Sequence, residues 1–175
     1  MKFRFCILPL VGGILTFFGL NVPVWYSITS WEENLWITGK IEHIFGSESI
    51  FDILPNEMFI PSIITTIVIS FCSAVIIISV FLSIMGKKYK IKPENLWLLM
   101  GIIEVCAMLI YIYALSIGFY NYATINFWTV YDYNFGIIIP FISGSLAILG
   151  AITNKTEYWI KKRKIDQLKS SQIVN

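Results

Sequence analysis

The sequence predicts a membrane all-α fold, a four-transmembrane-helix bundle carrying a small extracellular antiparallel β-sheet drawn from two outer loops. Three observations predict it. Apolar residues make up 57% of the 175-residue chain and charged residues only 14%, with a mean hydropathy of +0.72. The apolar residues gather into four long runs, and the basic residues collect at one end of those runs. The intervening segments are rich in tryptophan, tyrosine and β-branched residues. A water-soluble domain of this composition would lack the polar cover that its exterior needs.

A hydrocarbon core of roughly 30 Å takes about 20 apolar residues at the helical rise. The first candidate span runs from about Phe5 to Val22, between Arg4 and Pro23, and the second from about Phe59 to Met85, closed by Gly86-Lys87-Lys88. The third runs from about Leu96 to Phe119 and carries one charge, Glu104; the fourth runs from about Phe135 to Thr153, before Asn154-Lys155. Backbone groups inside a bilayer must pair within their own segment, so these runs are helices. The first follows Lys2 and Arg4 as a secretory leader would. Its apolar run is long and no small-x-small site precedes Pro23, so it is expected to persist as a helix. The whole chain reads as one domain, with outer loops at 23–58 and 120–134, an inner loop at 86–95 and a tail at 154–175.

Charge orients the bundle. Four crossings put Lys2, Arg4, Lys87, Lys88, Lys90, Lys92, Lys155, Lys161, Lys162, Arg163, Lys164 and Lys169 on one side, and leave Lys40 alone on the other. Glu32, Glu33, Glu42, Glu48, Asp52, Glu57 and Asp132 accompany Lys40. The positive-inside rule then places both termini and the central loop in the cytoplasm of a multi-pass cell-membrane protein.

The outer loops carry strand signals. Val22 to Trp31 and Leu35 to Phe45 are β-branched and aromatic, with breaks at Gly39-Lys40 and Gly46; Ala123 to Tyr133 has the same character. Such runs bounded by turn residues predict an antiparallel sheet that combines both loops. Within the spans, small residues mark the expected contact faces: Gly12, Gly13 and Gly19, then Ser62, Ser70, Ser73 and Ala74, then Gly144, Ala147 and Ala151. Pro140 is expected to kink the fourth helix, and Pro61 falls near the start of the second.

Few residues suggest chemistry. Glu104 lies near mid-membrane, where a carboxyl is expected to be protonated or paired and to face the bundle interior. It reads either as a proton or cation relay or as a neutral acid bonded to a Ser or Thr of a neighbouring helix. His43 sits among scattered acids with no metal-ligand spacing and reads as a solvated loop residue. Cys6, Cys72 and Cys106 fall one in each of the first three spans and read as packing residues, so no disulfide framework is expected outside. Lys161, Lys162, Arg163 and Lys164 follow Tyr158-Trp159-Ile160, a pattern that suits anionic lipid headgroups and also orients the last helix. No catalytic triad, phosphate loop or metal-binding helix is present. No enzyme activity, cofactor, metal or nucleic-acid partner is expected.

Four spans, cytoplasmic termini and a longer first outer loop together resemble the claudin and peripheral-myelin-protein tetraspan superfamily. In that family the first loop carries a tryptophan soon after the first helix and then a Gly/Asn-Leu-Trp triplet. Trp25 or Trp31 matches the tryptophan, and Asn34-Leu35-Trp36 matches the triplet. The resemblance implies that these residues pin an outer sheet to the tops of the helices. The family's first loop cysteine corresponds to Gly39, and no second cysteine occurs in the loop. The function implied is lateral assembly or adhesion through the outer loops, with the bilayer and a second copy or another membrane protein as partners. The alternatives are an accessory subunit of a transporter or membrane enzyme complex, and a small proton or ion conductor using Glu104.

Overall fold

The computed structural model describes residues 7–27, 32–45, 48–85 and 92–173. Helix α1 (Ile7–Gly19) leads into strands β1 (Trp25–Ser27), β2 (Glu32–Leu35), β3 (Lys40–Phe45) and β4 (Glu48–Ile53). Helices α2 (Asn56–Ile84) and α3 (Pro93–Ala123) follow, then β5 (Tyr131–Tyr133) and α4 (Phe135–Ile173). Helices α2, α3 and α4, of 29, 31 and 39 residues, are long and apolar enough to cross a membrane. Helix α1 is apolar but has 13 residues. Its described part is therefore shorter than the span expected over 5–22, and at 1.5 Å per residue it reaches only about 20 Å.

The helices pack in a ring, with α1 and α3 each touching both α2 and α4. Their surfaces are inverted relative to a soluble bundle. On α2 the buried residues include Ser62, Thr65, Cys72, Ser73 and Ser79, while Ile60, Ile64, Ile67, Phe71, Ile78 and Phe81 are exposed. Helices with apolar outsides associate through close backbone packing, which favours small residues at the seam. The seam between α3 and α4 shows this most directly. A Cβ built on Gly101 would stand 2.6 Å from the Gly144 carbonyl oxygen, and one on Gly144 would stand 2.8 Å from the Gly101 carbonyl oxygen. Each glycine thus makes room for the other's backbone.

The connections α1–α2 and α3–α4 leave the same end of the ring and form one five-stranded antiparallel sheet, in the order β4-β3-β2-β1-β5. Trp25 is the central register point, opposite Leu35 on one side and Tyr133 on the other. The β2–β3 turn is a short hairpin in which the Gly39 N–H donates to the Trp36 carbonyl at 2.9 Å and the Trp36 N–H donates to Lys40 at 2.8 Å. Gly39 has φ +81°, and a side chain there would also strike the Phe59 ring. The turn requires glycine because only glycine adopts that conformation without steric cost. At its tip Ile37 is buried, and its carbonyl accepts a 2.8 Å bond from Thr66 of α2.

Several expected boundaries move. Helix α3 continues to Ala123, where Thr124 caps it in the left-handed conformation, so the strand expected over Ala123–Tyr133 shrinks to Tyr131–Tyr133. Between them Asn126 accepts a bond from the Trp128 N–H and caps a 3-10 turn over Phe127–Thr129, which turns Phe127 into the core. The first loop likewise yields a strand over Trp25–Ser27 alone of the Val22–Trp31 run; 28–31 lie outside the described residues. Helix α4 does not stop near Thr153 but carries the polar tail to Ile173, because nothing from Asn154 to Leu168 breaks a helix. Pro140 lies inside that continuous helix, and Pro61 lies inside α2, which begins at Asn56.

Gly101→Leu should force α3 and α4 apart and destabilise the protein by about 1–3 kcal/mol, the usual cost of overpacking. Thermal unfolding in detergent should show it as a lowered midpoint, with Gly101→Ala giving a smaller loss; an unchanged midpoint for Leu would show that the seam is not close-packed.

Candidate functional site

The sheet stands on the helix ends through an aromatic cluster. Trp25, 1% exposed, meets Phe127 edge-on with ring centroids 5.0 Å apart, and meets Trp128 at 5.4 Å. Phe119 of α3 approaches Phe127 and Tyr131, each at 5.5 Å. T-shaped pairs at these separations add stabilisation beyond the area they bury. Leu35, beside Trp25 in the ladder, is also buried, whereas Trp36 is only half-buried. The Asn34 amide instead donates to Glu42 across the hairpin at 3.2 Å. The structure therefore brings Trp25 and Leu35 together at the base of the sheet, with Asn34 and Trp36 flanking them. Trp31 lies outside the described residues.

Glu33 links three strands. Its Oε1 lies 2.9 Å from His43 Nδ1 on β3, and its Oε2 accepts a 2.7 Å bond from the Tyr131 hydroxyl on β5. His43 is thus a half-buried partner of Glu33 and not the solvated loop residue its sequence context suggested. Burial pushes the Tyr131 phenol well above its usual range, and the Glu33 carboxylate adds to the shift by accepting its hydrogen bond and by its charge.

Inside the ring a second polar centre joins three helices. Glu104 of α3 is fully buried. Its Oε1 is hydrogen-bonded to the Thr16 hydroxyl of α1. Thr16 Oγ1 is also 2.6 Å from Ser143 Oγ of α4, and Ser143 donates to the Gly12 carbonyl at 2.6 Å. These three contacts in a row need three protons, and the two hydroxyls supply only two. A carbonyl and an ionised carboxylate can only accept. All three bonds form only when the carboxyl carries its own proton and donates to Thr16, which donates to Ser143, which donates to Gly12. Among the described residues, Glu104 Oε2 and the Ser73 hydroxyl of α2 are buried without hydrogen-bond partners. The chain of bonds ends on a backbone carbonyl, which cannot pass a proton onward.

At the opposite end of the helices, Lys161, Lys162, Arg163 and Lys164 lie on the exposed extension of α4. Lys161 pairs with Glu157 at 3.5 Å, Lys162 stands over the Trp159 ring, and Lys92, just before α3, stands 5.0 Å over the Tyr158 ring. Among the described residues no group of three His, Cys, Asp or Glu side chains could hold a metal ion. No protein-family model matches this chain, and no characterised protein matches it either.

Sequence reasoning found Glu104 but not its particular partners, because Thr16 and Ser143 are two hydroxyls among many on apolar helices. It also missed β4, although Ser49-Ile50-Phe51-Asp52-Ile53 has the β-branched and aromatic content of a strand.

Two outcomes follow from these centres. Glu104→Gln, whose amide can also donate to Thr16, should stay within about 1 kcal/mol of the parent, whereas Glu104→Ala should lose about 2 kcal/mol or more. Infrared difference spectra should show a protonated carboxyl band at neutral pH that disappears in Glu104→Gln; a carboxylate band in its place would refute the proton count. Tyr131→Phe should cost about 1.5–3 kcal/mol, the range for bonds to a charged acceptor. Because the phenol is raised in the fold, its contribution is complete below the ordinary tyrosine value near 10 and is lost as pH climbs above it. A pH series of melting points should show this alkaline loss in the parent and not in Tyr131→Phe.

Proposed function

We propose that this chain is a non-enzymatic integral membrane protein of four spans, claudin-like in plan, which assembles laterally through its outer sheet. The observation that carries the reading is the free edge of that sheet. Strand β4 ends the strand order, all six of its residues are exposed, and Ile50, Phe51 and Ile53 are 58–64% exposed. An edge strand with unpaired backbone groups and apolar side chains is a template for pairing with another chain, and proteins that do not use such an edge blunt it.

The inverted helix surfaces support the membrane reading, since isoleucine and phenylalanine are a suitable exterior only in lipid. Helix α1 counts as the first of four spans because Gly12, Thr16 and Gly19 are buried against the other helices over its described length. The acids of the sheet end and the bases of the other end support a sheet outside and termini in the cytoplasm. The Asn34-Leu35-Trp36 triplet, with Leu35 buried beside Trp25, supports the claudin-like plan. The Glu104 bond chain, closed on a carbonyl, favours a structural acid over a conductor.

A two-fold antiparallel register centred on Phe51 sets Phe51 opposite Phe51, Ile50 opposite Asp52 and Ser49 opposite Ile53 of a second copy, so that no two acids oppose each other. In a background lacking Cys6, Cys72 and Cys106, Phe51→Cys in liposomes should give a disulfide-linked dimer, whereas Tyr133→Cys on the other edge should not. Ile50→Lys combined with Ile53→Lys should weaken dimerisation about tenfold or more, roughly 1.4 kcal/mol. A protein that stays monomeric at every lipid dilution would end this reading.

A further inference from the structure

A pocket of about 300 Å³ opens where the end of α1 meets the sheet, lined by Leu20, Asn21, Trp36, Thr38, Lys40 and Phe51. That volume is at the lower end for small-ligand sites. We propose that it holds the phosphate of an anionic phospholipid headgroup, with Lys40 as the counter-charge. This rests on the membrane-spanning reading but not on assembly through β4.

Charge is the first argument. Lys40 is the only lysine or arginine in the segments that form the sheet, amid Glu33, Glu42, Glu48, Asp52 and Asp132, yet it makes no ion pair among the described residues. The acids nearest in register are turned elsewhere. Glu42, on the same face of β3, accepts from Asn34 at 3.2 Å. Asp52 pairs with Ile41 on the opposite face and accepts the Ile53 N–H at 2.7 Å. Among the described residues no carboxylate lines the pocket, so Lys40 meets no competing anion there.

The remaining lining suits a phosphodiester attached to a chain. Asn21 uses one amide hydrogen on the Phe17 carbonyl at 2.9 Å and keeps the other, and Thr38 adds a hydroxyl. Trp36 carries a buried indole N–H with no acceptor among the described residues. A lysine among neutral donors binds phosphate as a point charge. Position is the second argument. Asn21 is two residues past the last turn of α1, the level at which a spanning helix leaves the hydrocarbon for the headgroups. Leu20 and Phe51 line the pocket, and Phe18, 64% exposed, lies just below on α1, leaving an apolar path for an acyl chain.

The test uses the full chain in neutral detergent, with Lys161, Lys162, Arg163 and Lys164 changed to Gln so that the tail cannot capture anionic lipid. Native mass spectrometry and melting curves are read with dioleoyl phosphatidylglycerol, dioleoyl phosphatidylcholine and inorganic phosphate. Phosphatidylglycerol should bind about tenfold more tightly than phosphatidylcholine and raise the melting point, and inorganic phosphate at equal concentration should do neither. Lys40→Met should abolish the preference, and Trp36→Phe, which keeps the ring wall, should weaken it severalfold. Equal binding by Lys40→Met and its parent would overturn the proposal, as would equal protection by inorganic phosphate. If the protein needs no detergent to stay in solution, the spanning reading itself fails; if it needs detergent but shows no Lys40-dependent binding, only the pocket proposal fails.

Discussion

One carboxyl holds the helix ring to its present arrangement. Glu104 on α3 meets Thr16 on α1, Thr16 meets Ser143 on α4, and Ser143 closes on the Gly12 carbonyl of α1. Helices with apolar outsides have no hydrophobic drive toward one another in lipid, so directional bonds and close backbones must select the neighbours. This bond chain provides the direction. The glycines provide the approach, since a Cβ on Gly12 would stand 2.7 Å from the Ser143 carbonyl oxygen. A polar cluster of this kind stabilises only when its protons are fully matched, which is why the neutral form of Glu104 belongs to the packed state.

The sheet meets that ring at an aromatic joint. Trp25 sits in the ladder between Leu35 and Tyr133 and packs against Phe127, which in turn touches Phe119 at the end of α3. Glu33 adds a polar clamp by joining β2 to His43 on β3 and Tyr131 on β5. Both devices fix the base of the sheet near β1 and β5. The far edge at β4 is left exposed, because neither device reaches it.

How far the chain could be read from its sequence depended on whether the signal was local. The apolar runs announced α2, α3 and α4, since a long uninterrupted run has few other stable forms, and Gly39 announced a turn. Glu104 stood out because a charge amid apolar residues is rare. Strand extents were harder to read. Phe127-Trp128-Thr129 has the composition of a strand but forms a 3-10 turn, because Asn126 caps it and Phe127 gains burial against Trp25. His43 looked solvated, since Glu33, ten residues earlier, becomes its neighbour only when β2 pairs with β3.

What the sequence by itself determined is the inventory: three helices long and apolar enough to cross a membrane, a shorter apolar helix before them, a small antiparallel sheet between, and an uneven distribution of charge. These follow from composition and period, which act over a few turns of chain. Only the tertiary structure decided which hydroxyls receive the Glu104 carboxyl, which tryptophan anchors the sheet and which strand is left at its edge. Thr16 and Glu104 are 88 residues apart in sequence, and Thr16 and Ser143 are 127 apart. Contacts at such separations are selected by how the whole ring closes, and no local pattern encodes them.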